Sequence, residues 1–437
     1  MAHFRFNLHA HHDALTRQNI GKERMKMGNL LIFACFFLYT SSMAAKGIFA
    51  AEVKYIIDMW GLTQAKAQMA NTFYFVAYGL VQVFLFVLMS KIDIRKYVIV
   101  TVPVAAIFTS LMGAATQIEH IWIYFGLGGA FQAAIYAGCN FVLTAYLPNA
   151  LLAKGNKIMN MGYAIGTVFA YAISALFIGK DQWQIPYYIT AVIFLISLIN
   201  FAVVSKVARK FKHVNFMLDE CVQVDGKDTP SGAQGEFLKL NNKKAYIVFY
   251  AFVLLFAFLL TSLYYSVMNF ITSTLVEVHG VSQDVSIYIA IIAPVAIVSG
   301  PMMTITACEK DKNFIRQAIL FLFILLPFSL LLAFLYQVNV ILYLVLAVIF
   351  VVLANGIKSI VLSVVAYKMK SQINVASYCA ISNAIASLSA GVTPVLIGAI
   401  KDAHGWRAGY FVSFGVIVFS VVLLVIINVL IKNKKVK

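Results

Sequence analysis

Twelve times along this chain of 437 residues an apolar run recurs that is close in length to the ~20 residues a helix needs to cross a bilayer. The runs lie near 29–57, 65–90, 96–117, 119–147, 156–178, 185–206, 244–271, 282–308, 315–336, 338–367, 373–400 and 407–431. A bilayer core offers no water to backbone N–H and C=O groups, so each run must close its own hydrogen bonds as a helix. With 62 % hydrophobic and only 12 % charged residues, no soluble domain of this length fits. An all-α membrane protein with twelve transmembrane helices is expected. The polar insert 207–243, with the turn-rich segment Asp225 to Gly235, divides them six and six. The expected organisation is a tail over 1–28, a six-helix bundle over 29–206, a central loop over 207–243, a second bundle over 244–431 and a basic tail over 432–437.

The net charge of +17 points to the membrane rather than to nucleic acid, because the positives fall in loops of one side. Arg24, Lys26, Lys91, Arg95, Lys96, Lys154, Lys157, Lys310, Lys312, Arg316, Lys368, Lys370 and the basic C-terminus share that side. Lys54, Lys66, Lys180, Lys401 and Arg407 occupy the other, several beside acids. The positive-inside rule then places both termini in the cytoplasm, with the plasma (inner) membrane as the expected location. The first run is too long for a cleavable signal and follows a polar N-terminal stretch. Cys35, Cys139, Cys308 and Cys379 sit in apolar runs and imply no disulfide framework; Cys221 falls in the polar loop. His9, His11 and His12 cluster in the N-terminal tail without the further ligands a metal site needs.

Lysines inside spans constrain function most. All 17 carboxylates are read as lying in tails, loops or helix ends, whereas Lys46 and Lys358 fall within spans one and ten. A charged group deep in a span costs roughly 2.5–3.5 kcal/mol on insertion scales, and such groups are usually functional. Lys358 precedes Lys368 by ten residues, about 15 Å of helix, which puts it near mid-membrane amid Asn355, Gly356 and Ser359. Tyr39, Met43 and Lys46 share one helical face. Two cations without an acidic companion call for an anion as counter-charge. Two like charges in an empty cavity repel, so exchange is favoured over uncoupled reorientation.

Polar residues on other spans extend this candidate site. Gln132, Tyr136 and Asn140 recur at intervals of four on span four; Tyr264, Tyr265 and Asn269 lie on span seven. Asn160 and Tyr163 are on span five, Tyr74 and Tyr78 on span two, Asn383 on span eleven. Tyrosine couples a hydrogen-bonding hydroxyl to an apolar ring, which suits an organic anion. Gly162 with Gly166, the trio Gly126, Gly128 and Gly129, and Ser387 with Gly391 mark close helix contacts. Pro294 and Pro394 are expected to kink spans eight and eleven. Trp183 with Tyr187 and Tyr188 is echoed by Trp406 with Tyr410 and Phe411, which indicates an internal repeat. No Gly-Lys-Ser/Thr loop, metal cluster or nucleophile–base set lies in the spans, so no cofactor, nucleotide hydrolysis or enzymatic activity is expected.

Six spans plus six, the central loop and the basic loops after spans two and eight resemble the major facilitator superfamily. Within it the chain is most similar to the organophosphate:phosphate antiporters. Lys46 stands where that family carries a cationic arginine in span one, with Tyr39 earlier on its face. Asp58-Met-Trp-Gly61-Leu-Thr63 is also similar. The family's second arginine, in span seven, corresponds here to Tyr264, and Lys358 on span ten stands in for its charge. The loop Val87 to Lys96 departs from the superfamily's signature in lacking an initial glycine. The resemblance implies alternating access, a cavity lined by spans one, four, seven and ten, and exchange of a phosphorylated metabolite for phosphate. Alternatives are a carrier of carboxylates or other non-phosphorylated anions, a transporter-like ligand sensor and a lipid flippase. The expected partners are a small anion and the bilayer, with the chain acting as a monomer.

Overall fold

The computed structural model describes residues 2–88, 92–147, 149–222, 243–311, 313–369, 373 and 375–435. The side chains of 1–24, the central loop over 223–242 and the side chains of Cys221 and Asn160 lie outside the described residues, so the histidine cluster does too. Ten stretches are long and apolar enough to cross a membrane. The last, Tyr378–Ile426, covers 49 residues and is two spans, divided where Gly405 adopts φ 79° and ψ 173°. Gln64–Leu88 is the remaining crossing, about 37 Å of helix. Twelve crossings put both termini on one side, here the terminus side, opposite the far side.

Span one is the end of one unbroken helix, Ala2–Trp60, its apolar part starting at Met25. Span two is Gln64–Leu88, span three Ile94–Gly113, span five Asn149–Ile178, span six Ile185–Val222 and span nine Phe314–Leu335. Four spans are interrupted. Span four breaks between Ile118–Gln132 and Ile135–Tyr146, and span seven between Lys243–Met268 and Ile271–His279. Span eight is three pieces, Gln283–Ala290, Ile292–Ala296 and Ser299–Lys310, the short middle one holding Pro294. A proline removes one helix hydrogen bond and clashes with the preceding turn, so the break sits where the sequence predicts it. Span eleven instead runs on through Pro394, and its helix departs from helical geometry only at Gly405. Span ten passes from Val340–Ser359 into a π turn, Ile360–Val364, before ending at Lys368.

Small residues set the helix contacts. A Cβ on Gly166 would lie 2.3 Å from the Thr40 carbonyl, so span five presses on span one there. Span two meets span eleven across the two halves: Gly391 lies against Thr72 and Phe75, and Gly79 against Ala384 and Ser387. The small pair predicted on span eleven therefore serves the seam between halves. Trp183, Tyr187, Trp406 and Tyr410 are all buried, which excludes an interfacial aromatic belt for them. Cys35, Cys139, Cys308 and Cys379 are free thiols.

Candidate functional site

Both intramembrane lysines reach the seam between halves. Lys46 Nζ lies 4.5 Å from the Phe75 ring centroid, 5.5 Å from Tyr163 and 5.9 Å from Tyr74. Lys358 Nζ lies 4.4 Å over the Tyr264 ring. Tyr163 and Tyr264 share a hydrogen bond of 3.2 Å between their hydroxyls. Two ammonium groups, one from each half, thus flank a tyrosine pair that joins the halves. Ring faces carry negative potential and hold cations at about 0.5–2 kcal/mol each, leaving the N–H donors available.

Backbone breaks place these groups. The π turn starts two residues after Lys358, and such turns are frequent at functional sites. Thr304 Oγ1 on span eight donates to the Gly356 carbonyl at 2.9 Å, and Gly300 and Gly356 bring the two backbones together. Asn355 donates through Nδ2 to the Ile297 carbonyl, beside the interruption in span eight. Its amide therefore anchors span ten. The break in span seven falls at Asn269 and Phe270, immediately outward of Tyr264 and Tyr265.

A cavity of about 40 Å3 adjoins Lys46 and is lined among others by Met43, Asn71, Tyr163, Tyr171, Tyr265 and Asn269. That is room for roughly three waters. Of the residues expected from sequence, Lys46, Tyr163, Tyr265 and Asn269 line it, and Tyr264 and Lys358 adjoin it through the tyrosine pair. Tyr39 packs instead on Tyr136, with ring centroids 5.1 Å apart, toward the terminus side. Asn140 is half-buried one turn beyond Tyr136. Gln132 accepts hydrogen bonds from Ser42 at 3.0 Å and Tyr74 at 3.2 Å, so it ties spans one, two and four together. Asn383 is exposed. Asn71, Phe75, Thr167 and Tyr171 were not anticipated, although Tyr74 and Tyr78 on span two and Tyr163 on span five were. Gln64, Gln68 and Asn71 lie at helical spacing on one face of span two, a signal present in the sequence.

The far side is sealed by charges crossing between halves. Glu277 meets Lys54 at 3.1 Å and Lys401 at 2.8 Å, and accepts from Trp406 Nε1 at 2.9 Å. Asp58 pairs with Lys54 and accepts from Gln283 at 2.7 Å. Asp402 accepts from the backbone N–H groups of Gln64 at 3.2 Å and Ala65 at 2.9 Å, capping span two from the other half.

One expectation fails. Glu52 lies inside span one and is 0 % exposed, so the carboxylates are not confined to loops and helix ends. The run 29–57 already contained it; its place only eight residues before the end of the helix at Trp60 masked how deeply the far end of span one is packed by spans five and six.

Two six-helix halves closing on a charged seam at mid-membrane define a secondary transporter rather than an enzyme. The sequence profile of the Major Facilitator Superfamily matches residues 32–377, and the chain belongs to that family. No curated protein sequence matches it. A point mutant of the nucleoside transporter NupG superposes with TM-score 0.67 at 13 % identity, covering 90 % of this chain and 99 % of its own. A bacterial homologue of the human lysosomal transporter Spinster, inward-facing and occupied, gives TM-score 0.64 at 15 % identity, covering 90 % and 94 %. At these identities the likeness is one of fold.

Proposed function

We propose that this protein carries a small organic anion by alternating access, with a phosphorylated metabolite exchanged for phosphate as the leading chemistry. The observation that carries the reading is the placement of Lys46 and Lys358 on either side of the Tyr163–Tyr264 hydrogen bond. An anion drawn between the two amines neutralises both and links the halves in place of that bond. Charge distribution supports a cytoplasmic terminus side, which makes the sealed far side the outer face. The small cavity calls for the halves to part on the cytoplasmic side before cargo enters. The plasma membrane and a monomeric state belong to the same reading, since each chain holds a complete seam.

Reconstituted protein tests it. Lys46→Ala and Lys358→Ala should each lower anion exchange in proteoliposomes by about 100-fold, the scale of losing a charge-assisted contact of nearly 3 kcal/mol. Near-normal exchange in both variants rejects the reading. Inhibition of uptake by inorganic phosphate favours the phosphorylated cargo; inhibition by dicarboxylates alone favours the carboxylate carrier.

A further inference from the structure

The unpaired carboxyl of Glu52 has company. Both of its oxygens are buried without a hydrogen-bond partner, and so are Ser174 Oγ on span five and Tyr187 Oη and Thr190 Oγ1 on span six. The Ser174 and Tyr187 hydroxyls stand within hydrogen-bonding reach of the Glu52 carboxyl, but without the geometry of a well-formed hydrogen bond. Thr190 follows Tyr187 by three residues on the same helical face. All four residues are 0 % exposed. The nearest lysine along the chain, Lys54, is engaged with Asp58 and Glu277. Lys46, six residues back and about 9 Å along the helix, faces the cavity.

Buried polar atoms are normally paired, and a buried carboxylate needs a positive charge beside it. Here five oxygens of three spans have neither. The donor set is all oxygen, with no nitrogen or sulfur, which selects a hard cation. One carboxylate balances a single positive charge; a divalent ion would leave a net charge buried. A proton would neutralise Glu52 but sit on a single oxygen, whereas a bare monovalent ion is shared by all the lone pairs that face it.

We propose that Glu52, Ser174, Tyr187 and Thr190 form a sodium site inside the first half, behind the anion cavity. The ion fastens span one to spans five and six. It also removes the negative field of Glu52 from the neighbourhood of Lys46, so sodium raises anion affinity and the anion raises sodium affinity by the same factor. This coupling rests on the anion reading above; sodium binding itself does not.

The experiment is thermal unfolding of the purified full-length protein in NaCl against choline chloride at fixed ionic strength and pH. Sodium should raise the midpoint of the wild type in a saturable manner and leave Glu52→Gln unmoved, while Thr190→Ala and Ser174→Ala require at least about ten-fold more sodium. Equal sodium responses in the wild type and Glu52→Gln overturn the proposal, as does a response to pH with none to sodium. Should Glu52→Gln not fold, unchanged sodium midpoints in both Thr190→Ala and Ser174→Ala overturn it equally. Phosphate titrated in both media then reads the coupling: a tighter phosphate midpoint in sodium is expected. A sodium shift with no response to any anion would sink the anion reading and leave the cation site standing.

Discussion

Each half of the molecule carries the same corner, a tryptophan with a tyrosine four residues on, and the two corners treat their carboxyl differently. In the second half Trp406 donates to Glu277, which also holds Lys401 and, across the seam, Lys54. Tyr410 shares hydrogen bonds of 2.9 Å with Thr274 and 3.1 Å with Tyr343. In the first half Trp183 stacks edge-on to Tyr187 at 6.0 Å, but Tyr187 and Glu52 have no hydrogen-bond partner. One corner is saturated and joins the halves; the other is closed within its own bundle and unsatisfied. A repeated motif thus supplies a charged link between the halves in one bundle and an unpaired oxygen cluster in the other. The difference arises because Glu277 stands at the end of span seven, within reach of its lysines, whereas Glu52 is enclosed by spans five and six.

The comparison breaks most readily at Glu277. Glu277→Gln removes the carboxylate shared by Lys54 and Lys401, which keep only Asp58 and Asp402, and should destabilise the protein by about 1–3 kcal/mol, below the buried-pair range because the site is partly exposed. It should also open the far side, read as faster labelling of a cysteine placed at Ala50. A seal that stays closed would show that the small-residue seam, not charge, holds it. Next in size is the tyrosine contrast. Tyr410→Phe should cost about 1–2 kcal/mol by orphaning Thr274 and Tyr343, while Tyr187→Phe in choline medium should change the unfolding midpoint little, having no hydrogen bond to lose. Equal losses would mean the corners are alike after all. Glu52→Gln in the same medium should leave stability equal or higher, since it removes an unpaired buried carboxyl. The smallest effect is expected at Lys66, whose bond to Glu119 at 3.0 Å is exposed on both sides; Lys66→Ala should leave the unfolding midpoint unmoved.

Much of the architecture was legible because a bilayer admits so few solutions. Apolar length and loop charge were enough to place twelve helices, and Gly162, Gly166, Ser387 and Gly391 mark real contacts because close approach needs small side chains. Lys46 and Lys358 stood out because a lysine in hydrocarbon is rare. Gln132 and Asn355 were less legible: an amide on a span looks the same whether it faces cargo or a neighbouring backbone, and here both are taken up by packing.

Sequence by itself determined the spans, their six-plus-six division and the two cations, since these follow from local composition measured against the thickness of the membrane. Tertiary structure alone decided that the cations meet across Tyr163 and Tyr264, that Asn71 and Phe75 belong to the same chamber, and that Glu52 is enclosed while Glu277 is paired. The physical reason is that burial and partnership are properties of the surface a helix meets, and a linear chain does not state which faces will touch.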